Sequence, residues 1–120
     1  MTDNLRTKRC IPCEGGIPPL PDDKIQEFLV QVPGWHIVET DQQGKKIKTL
    51  QKRMTFKNFR DAMAFLRQVE ELAESEGHHP DFCVHYNRVD FTLWTHAISG
   101  LHDNDFILAS KIDHIQQLDS

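Results

Sequence analysis

The sequence contains no apolar run near the ~18 residues that a membrane span requires, so no membrane partner is expected. It lacks a basic excess: 14 Lys and Arg stand against 18 Asp and Glu, a net charge of −4. That weighs against nucleic acid or an anionic membrane surface, which call for a positive footprint. Cysteine is scarce and odd in number, with three residues. A disulfide framework is therefore not expected, and a reducing, cytoplasmic setting is. The stretch from Met1 to Arg9 is polar and has no apolar h-region, so no signal peptide is expected. No Gly-rich phosphate loop and no nucleophile elbow occur, which is consistent with chemistry that needs neither a nucleotide nor a covalent nucleophile. The 120 residues leave room for one ordinary domain, not for a two-domain enzyme with its own nucleotide-binding half. A chain of this size buries only about 60–70% of its unfolded surface, so self-association is expected.

Proline and glycine are concentrated at the start. Cys10-Ile-Pro-Cys13-Glu-Gly-Gly-Ile-Pro-Pro-Leu20 reads as part of an irregular arm over residues 1–20, laid against the surface of a single domain over 21–120. Pro21 and Asp22 then start a helix with Ile25, Phe28, Leu29 and Val32 on one stripe, stopped by Pro33-Gly34. Two strands follow. Trp35 to Glu39 is one, Asp41 to Gly44 is turn-like, and Leu50, Met54 and Phe56 share one parity in the other. Asn58 caps a second helix whose apolar face is Phe59, Ala62, Met63, Leu66, Val69 and Ala73, and Gly77 ends it. Phe82, Val84 and Tyr86 alternate, Asn87-Arg88 turns, and Val89, Phe91, Leu93 and Thr95 alternate again, which is a hairpin. A third helix runs from about Asp103, with Leu108, Ala109, Ile112 and Ile115 on its apolar face. Hairpins separated by a helix cannot build an all-parallel sheet. The order α-β-β-α-β-β-α predicts an α+β two-layer sandwich: a four-stranded antiparallel sheet with three helices on one face. The open face and edges of the sheet are then available for self-association.

Histidine is what the sequence has in excess: seven residues, at 36, 78, 79, 85, 96, 102 and 114. His78 and His79 lead into the second hairpin and His96 leaves it. The two ends of a hairpin lie side by side, so these residues should meet. Glu74 sits one turn before the end of the second helix, and Asp105 in the first turn of the third. Imidazoles flanked by carboxylates form a natural acid–base site, because imidazole titrates near neutrality and a carboxylate can orient it. Pro80 biases His79 toward extended backbone, in which neighbouring residues face opposite ways, so one of the histidine pair can be structural.

The spaced set Glu74-x-x-x-His78-His79-Pro80, then Tyr86, His96 and Asp105, resembles the active-site signature of the pterin-4a-carbinolamine dehydratases. The flanking text agrees: Thr55-Phe56-Lys57-Asn58-Phe59, Tyr86-Asn87-Arg88-Val89, Thr95-His96, Gly100-Leu101 and Asn104 to Ala109. The likeness runs from about Leu20 to Leu118, and the Cys10–Leu20 arm is similar to that of many bacterial members. His102 departs from it, standing where Ser or Thr is usual before the last helix, which predicts a weaker N-cap. Phe82 stands where some relatives have Trp.

The resemblance implies dehydration of a 4a-hydroxytetrahydropterin to the quinonoid dihydropterin, which recycles the pterin of aromatic amino-acid hydroxylation. It implies no cofactor, a pterin substrate, and a homodimer or homotetramer. By the same likeness His79 and His96 carry the protons, and His78 stands beside the pterin as a binding or auxiliary acid–base group, the third of three catalytic histidines. Glu74 and Asp105 orient imidazoles or bind the pyrimidine edge, with Pro80 and Thr95 at the substrate. Two rival readings remain. His78, His79, His85, Cys83 and His96 offer donors for a zinc site, and Cys10-x-x-Cys13 has the spacing of half a zinc knuckle or a redox pair. The same fold also occurs as a non-catalytic coactivator or binding module, although its degenerate forms tend to lose the histidine set.

Overall fold

The computed structural model describes residues 4–11 and 15–119. Cys13, the second half of the Cys10-x-x-Cys13 pair, lies outside them. The elements run α1 (Asp22–Leu29), β1 (His36–Gln42), β2 (Lys45–Thr55), α2 (Phe59–Glu76), β3 (Asp81–His85), β4 (Arg88–Leu93) and α3 (Asp103–Asp119). All strand pairs are antiparallel, in the order β1-β2-β4-β3. This is the α+β class expected from the order of elements.

Each junction has a local cause. The side chain of Asn58 accepts a hydrogen bond from the backbone N–H of Asp61 at 2.8 Å, which caps α2. Gly77, at φ 67°, ends α2 in the left-handed region. The β1–β2 turn is Gln43-Gly44, both with positive φ, and the Asp41 carboxylate accepts from the backbone of Gly44 at 2.9 Å. Two residues in this mirror-image conformation match the twist of the strands they join.

Several boundaries differ from the sequence expectation. Helix α1 stops at Leu29, before Pro33-Gly34. The N–H groups of Gln31 and Val32 turn back onto Phe28 and Leu29, and Val32 is buried in that turn. β1 begins at His36, because the backbone N–H of Trp35 still turns back onto the Val32 carbonyl at 3.1 Å; its buried indole donates to Asp113 at 2.9 Å. The second hairpin turns at Tyr86-Asn87 rather than Asn87-Arg88. The register pairs His85 with Arg88, and Asn87 is held outside the strand by Phe56, whose backbone N–H and carbonyl it binds at 2.7 and 2.9 Å. Phe59, assigned to the apolar face of α2, is half exposed, whereas Phe65 is buried there.

The core lies between the helices and the sheet face carrying Leu50, Met54, Val89, Phe91 and Leu93. Phe65 from α2 meets Phe91 at 6.3 Å between ring centroids, and Phe28 from α1 meets Phe106 from α3 at 5.4 Å. Helix α3 is buried on every side from Asn104 to Ser110, not along one face only. The cover on its outer side is the arm. Leu5 is fully enclosed and belongs to the core, so the arm is not confined to the surface. Asn104 pins the arm by two hydrogen bonds. Its carbonyl oxygen accepts from the N–H of Ile11 at 2.9 Å, and its amide donates to the Ile11 carbonyl at 2.6 Å. Among the described residues, no helix is long and apolar enough to cross a membrane.

Candidate active site

The end of α2 delivers the first histidines. After the left-handed residue Gly77 the two adjacent histidine side chains diverge. His78 turns inward, with 14% of its side chain exposed, and its Nε2 lies 2.7 Å from Oδ1 of Asp105. His79 turns outward, and its Nε2 lies 2.5 Å from Oε2 of Glu74, one turn back on α2. Both members of this second pair are mostly exposed. The two adjacent histidines thus face two separate carboxylates.

Asp105 is fully buried. Besides His78, its other oxygen accepts from the Thr95 hydroxyl at 2.9 Å and from the backbone N–H of His102 at 3.0 Å. Three donors satisfy this carboxylate in an enclosed position, where an unpaired charge would be costly. A carboxylate accepts only, so the proton of neutral His78 is assigned to Nε2, and Nδ1 carries the lone pair. Thr95 is likewise buried, between β4 and the start of α3. His102, expected to weaken the cap of α3, makes a cap of its own: its Nδ1 accepts from the backbone N–H of Asn104 at 2.9 Å.

His96 follows β4 and opens a short 3-10 turn over His96–Ile98. It is mostly exposed, 3.9 Å from Oδ2 of Asp81 and stacked on Trp94. Neither Asp81 nor Trp94 was singled out from sequence. The position of Asp81, directly after Pro80 at the mouth of the hairpin, was the available signal. Beside His79, an open groove of about 480 Å³ runs between α2 and β3. Leu66, Val69, Ala73, Pro80 and Phe82 line it, with Glu74 and His79 at one edge. His78, His96, Thr95 and Asp105 do not line this groove.

Among the described residues, no group of three or more His, Cys, Asp and Glu side chains is placed to hold a metal ion. Cys10 and Cys83 are free thiols. Cys10 is in the arm, where burial first and the neighbouring Glu76 second push its thiol up to about 12. Burial works to raise the Glu76 carboxyl. Lys111, which donates to it at 2.7 Å, and the backbone N–H of Cys10, at 2.8 Å, outweigh that and hold it below its ordinary value.

A sequence profile described as pterin 4 alpha carbinolamine dehydratase matches residues 18–115. The chain belongs to this dehydratase family. A Rubrobacter xylanophilus protein, provisionally named a pterin-4-alpha-carbinolamine dehydratase, is 40% identical over 92% of this chain and 97% of its own length. One of the same provisional name from Methylococcus capsulatus is 45% identical, over 93% of each chain. The crystal structure of a Brucella melitensis protein named transcriptional coactivator/pterin dehydratase superposes with a TM-score of 0.68 at 32% identity. That match covers 81% of this chain and 97% of the other. The matched profile begins at residue 18, whereas the matches to the Rubrobacter and Methylococcus relatives, over 92% and 93% of this chain, extend into the arm.

Proposed function

We propose that this protein dehydrates a 4a-hydroxytetrahydropterin to the quinonoid dihydropterin and water. The observation that carries the reading is the pair of adjacent histidines on separate carboxylates, His78 on Asp105 at 2.7 Å and His79 on Glu74 at 2.5 Å. Family membership supports it. The reaction breaks the C4a–O bond, and the departing hydroxyl leaves as water once it gains a proton. N5 loses its proton as the C4a–N5 double bond forms. This is paired general acid and general base work, contributing ~10²–10⁴-fold for each well-placed group.

In this reading His79 and His96 exchange protons with the substrate. Both are mostly exposed, so substrate can reach them. Glu74 accepts from Nε2 of His79, which leaves Nδ1 of that ring as the proton acceptor. His78 stands beside the pterin as an auxiliary acid–base group, with its tautomer set by Asp105. The burial of Asp105 and Thr95 suits an orienting role better than direct contact with the pyrimidine edge. Pro80 holds the backbone of His79 extended. No cofactor enters this scheme. Self-association belongs to the same reading, with the edge strand β3, its exposed Phe82 and the exposed turn residue Tyr86 as the adhesive surface.

The test is a spectrophotometric dehydration assay on a 4a-hydroxytetrahydropterin made in situ by an aromatic amino-acid hydroxylase. Faster decay is expected, with turnover lowered more than ~10-fold in His79→Ala and in His96→Ala, a conservative floor for losing an acid–base group. Full activity in both variants would refute the assignment. No acceleration by folded protein would overturn the enzyme reading in favour of a binding module.

A further inference from the structure

β4 ends at Leu93, and the chain then closes a tight loop in which the N–H of Thr95 donates to the Gly100 carbonyl at 2.8 Å. His96 begins the single 3-10 turn inside that loop, with 67% of its side chain exposed. Its nearest carboxylate oxygen, on Asp81, is 3.9 Å away, too far for a hydrogen bond. An imidazole with so little around it would exchange among its staggered rotamers. Among the described residues, its one close aromatic neighbour is the indole of Trp94. The ring centroids are 3.7 Å apart and the planes 19° from parallel. Leu93 and Thr95 face inward, so alternation turns Trp94 to the opposite side, and the 3-10 turn folds His96 back over it. Trp94 is itself anchored, partly buried against the core.

We infer that Trp94 is a positioning residue of the dehydratase site: its indole face holds the His96 ring in the orientation that proton transfer requires. The inference rests on the reading of His96 given above. A stacked aromatic pair favours the held orientation by a factor of roughly 2 to 12. Trp94 touches no reacting atom in this scheme and acts through His96 alone.

The experiment combines NMR of the His96 ring protons with turnover on a 4a-hydroxytetrahydropterin, for the unsubstituted protein, Trp94→Leu, Trp94→Phe and His96→Ala. In the unsubstituted protein the indole ring current should move the His96 signals upfield. Trp94→Leu should return them to unstacked positions and lower kcat by roughly 2- to 12-fold, with a smaller change in KM. Trp94→Phe should keep a large part of both effects. His96 signals at unstacked positions in the unsubstituted protein would overturn the inference without any variant. Full kcat in Trp94→Leu, alongside loss in His96→Ala, would overturn it too. Full turnover in His96→Ala would instead sink the role of His96, and the role of Trp94 with it, while the ring-current shift still reported the stack.

Discussion

Replacing Asp105 by Asn tests how the buried carboxylate governs His78. The change is nearly isosteric, but one oxygen becomes an amide that donates. Thr95 and the His102 backbone both donate to Oδ2, and His78 alone donates to Oδ1. The arrangement that costs least keeps the carbonyl on the two donors and turns the amide toward His78. Nε2 of His78 must then accept, so its proton moves to Nδ1. Two hydrogen bonds survive with a neutral acceptor and one reverses. Bonds to a charged group contribute about 1.5–3 kcal/mol and neutral ones about 0.5–1.5 kcal/mol, so the loss in stability should be about 2–4 kcal/mol. Asp105→Ala would strand three buried donors at about 1–3 kcal/mol each, comparable to the whole stability of a small domain, which makes Asn the informative variant. Nitrogen-15 NMR of His78 should show the tautomer reversed, and turnover should fall at least ~10-fold because the lone pair now points away from the pterin. Unchanged tautomer and unchanged turnover in the folded Asn protein would refute this account of Asp105.

Three further outcomes are expected. A Cβ on Gly100 would sit 2.7 Å from Cβ of Pro19, so Gly100→Ala must displace the arm or the loop that carries His96. It should cost about 1–3 kcal/mol in denaturant unfolding, and a neutral result would mean that Pro19 yields freely. Glu76 is held below its ordinary 4.5, so its contribution is present above that pH and is lost as pH falls through the lower folded value. The stability gap between the unsubstituted protein and Glu76→Gln should therefore narrow in acid below about 4.5, and a gap independent of pH would refute the role of the Lys111 and Cys10 contacts. The Cys10 thiol is raised from 9.0 to about 12, so it favours the folded state below pH 9.0 and that contribution fades as pH rises toward 12. In native protein at pH 8, peptide mapping after alkylation should find exposed Cys83 modified well before Cys10, because only the thiolate reacts.

Much of this protein is written in local pattern. The period-2 run Val89, Phe91, Leu93, Thr95, the Asn58 cap and the Gly77 stop each depend on residues within a few positions, so the sequence determines those elements directly. Hairpin closure, also local, brings His78 and His79 to the same end as His96. The spaced signature from Glu74 to Asp105 marks the dehydratase family without any coordinates. Tertiary packing decided the rest. Which of two adjacent histidines faces Asp105 depends on how the backbone leaves Gly77, and that direction is set by where α3 lies. The stack of Trp94 on His96 depends on a 3-10 turn closed by the Thr95–Gly100 pairing, which has no periodic signal. The arm carries one 3-10 turn over Leu5–Thr7, too short to leave a periodic signal, yet Leu5 enters the core where that turn packs on α3. Sequence patterns report what neighbours along the chain do. A carboxylate satisfied by three donors, each reaching it from a different part of the backbone, exists only once the chain has folded.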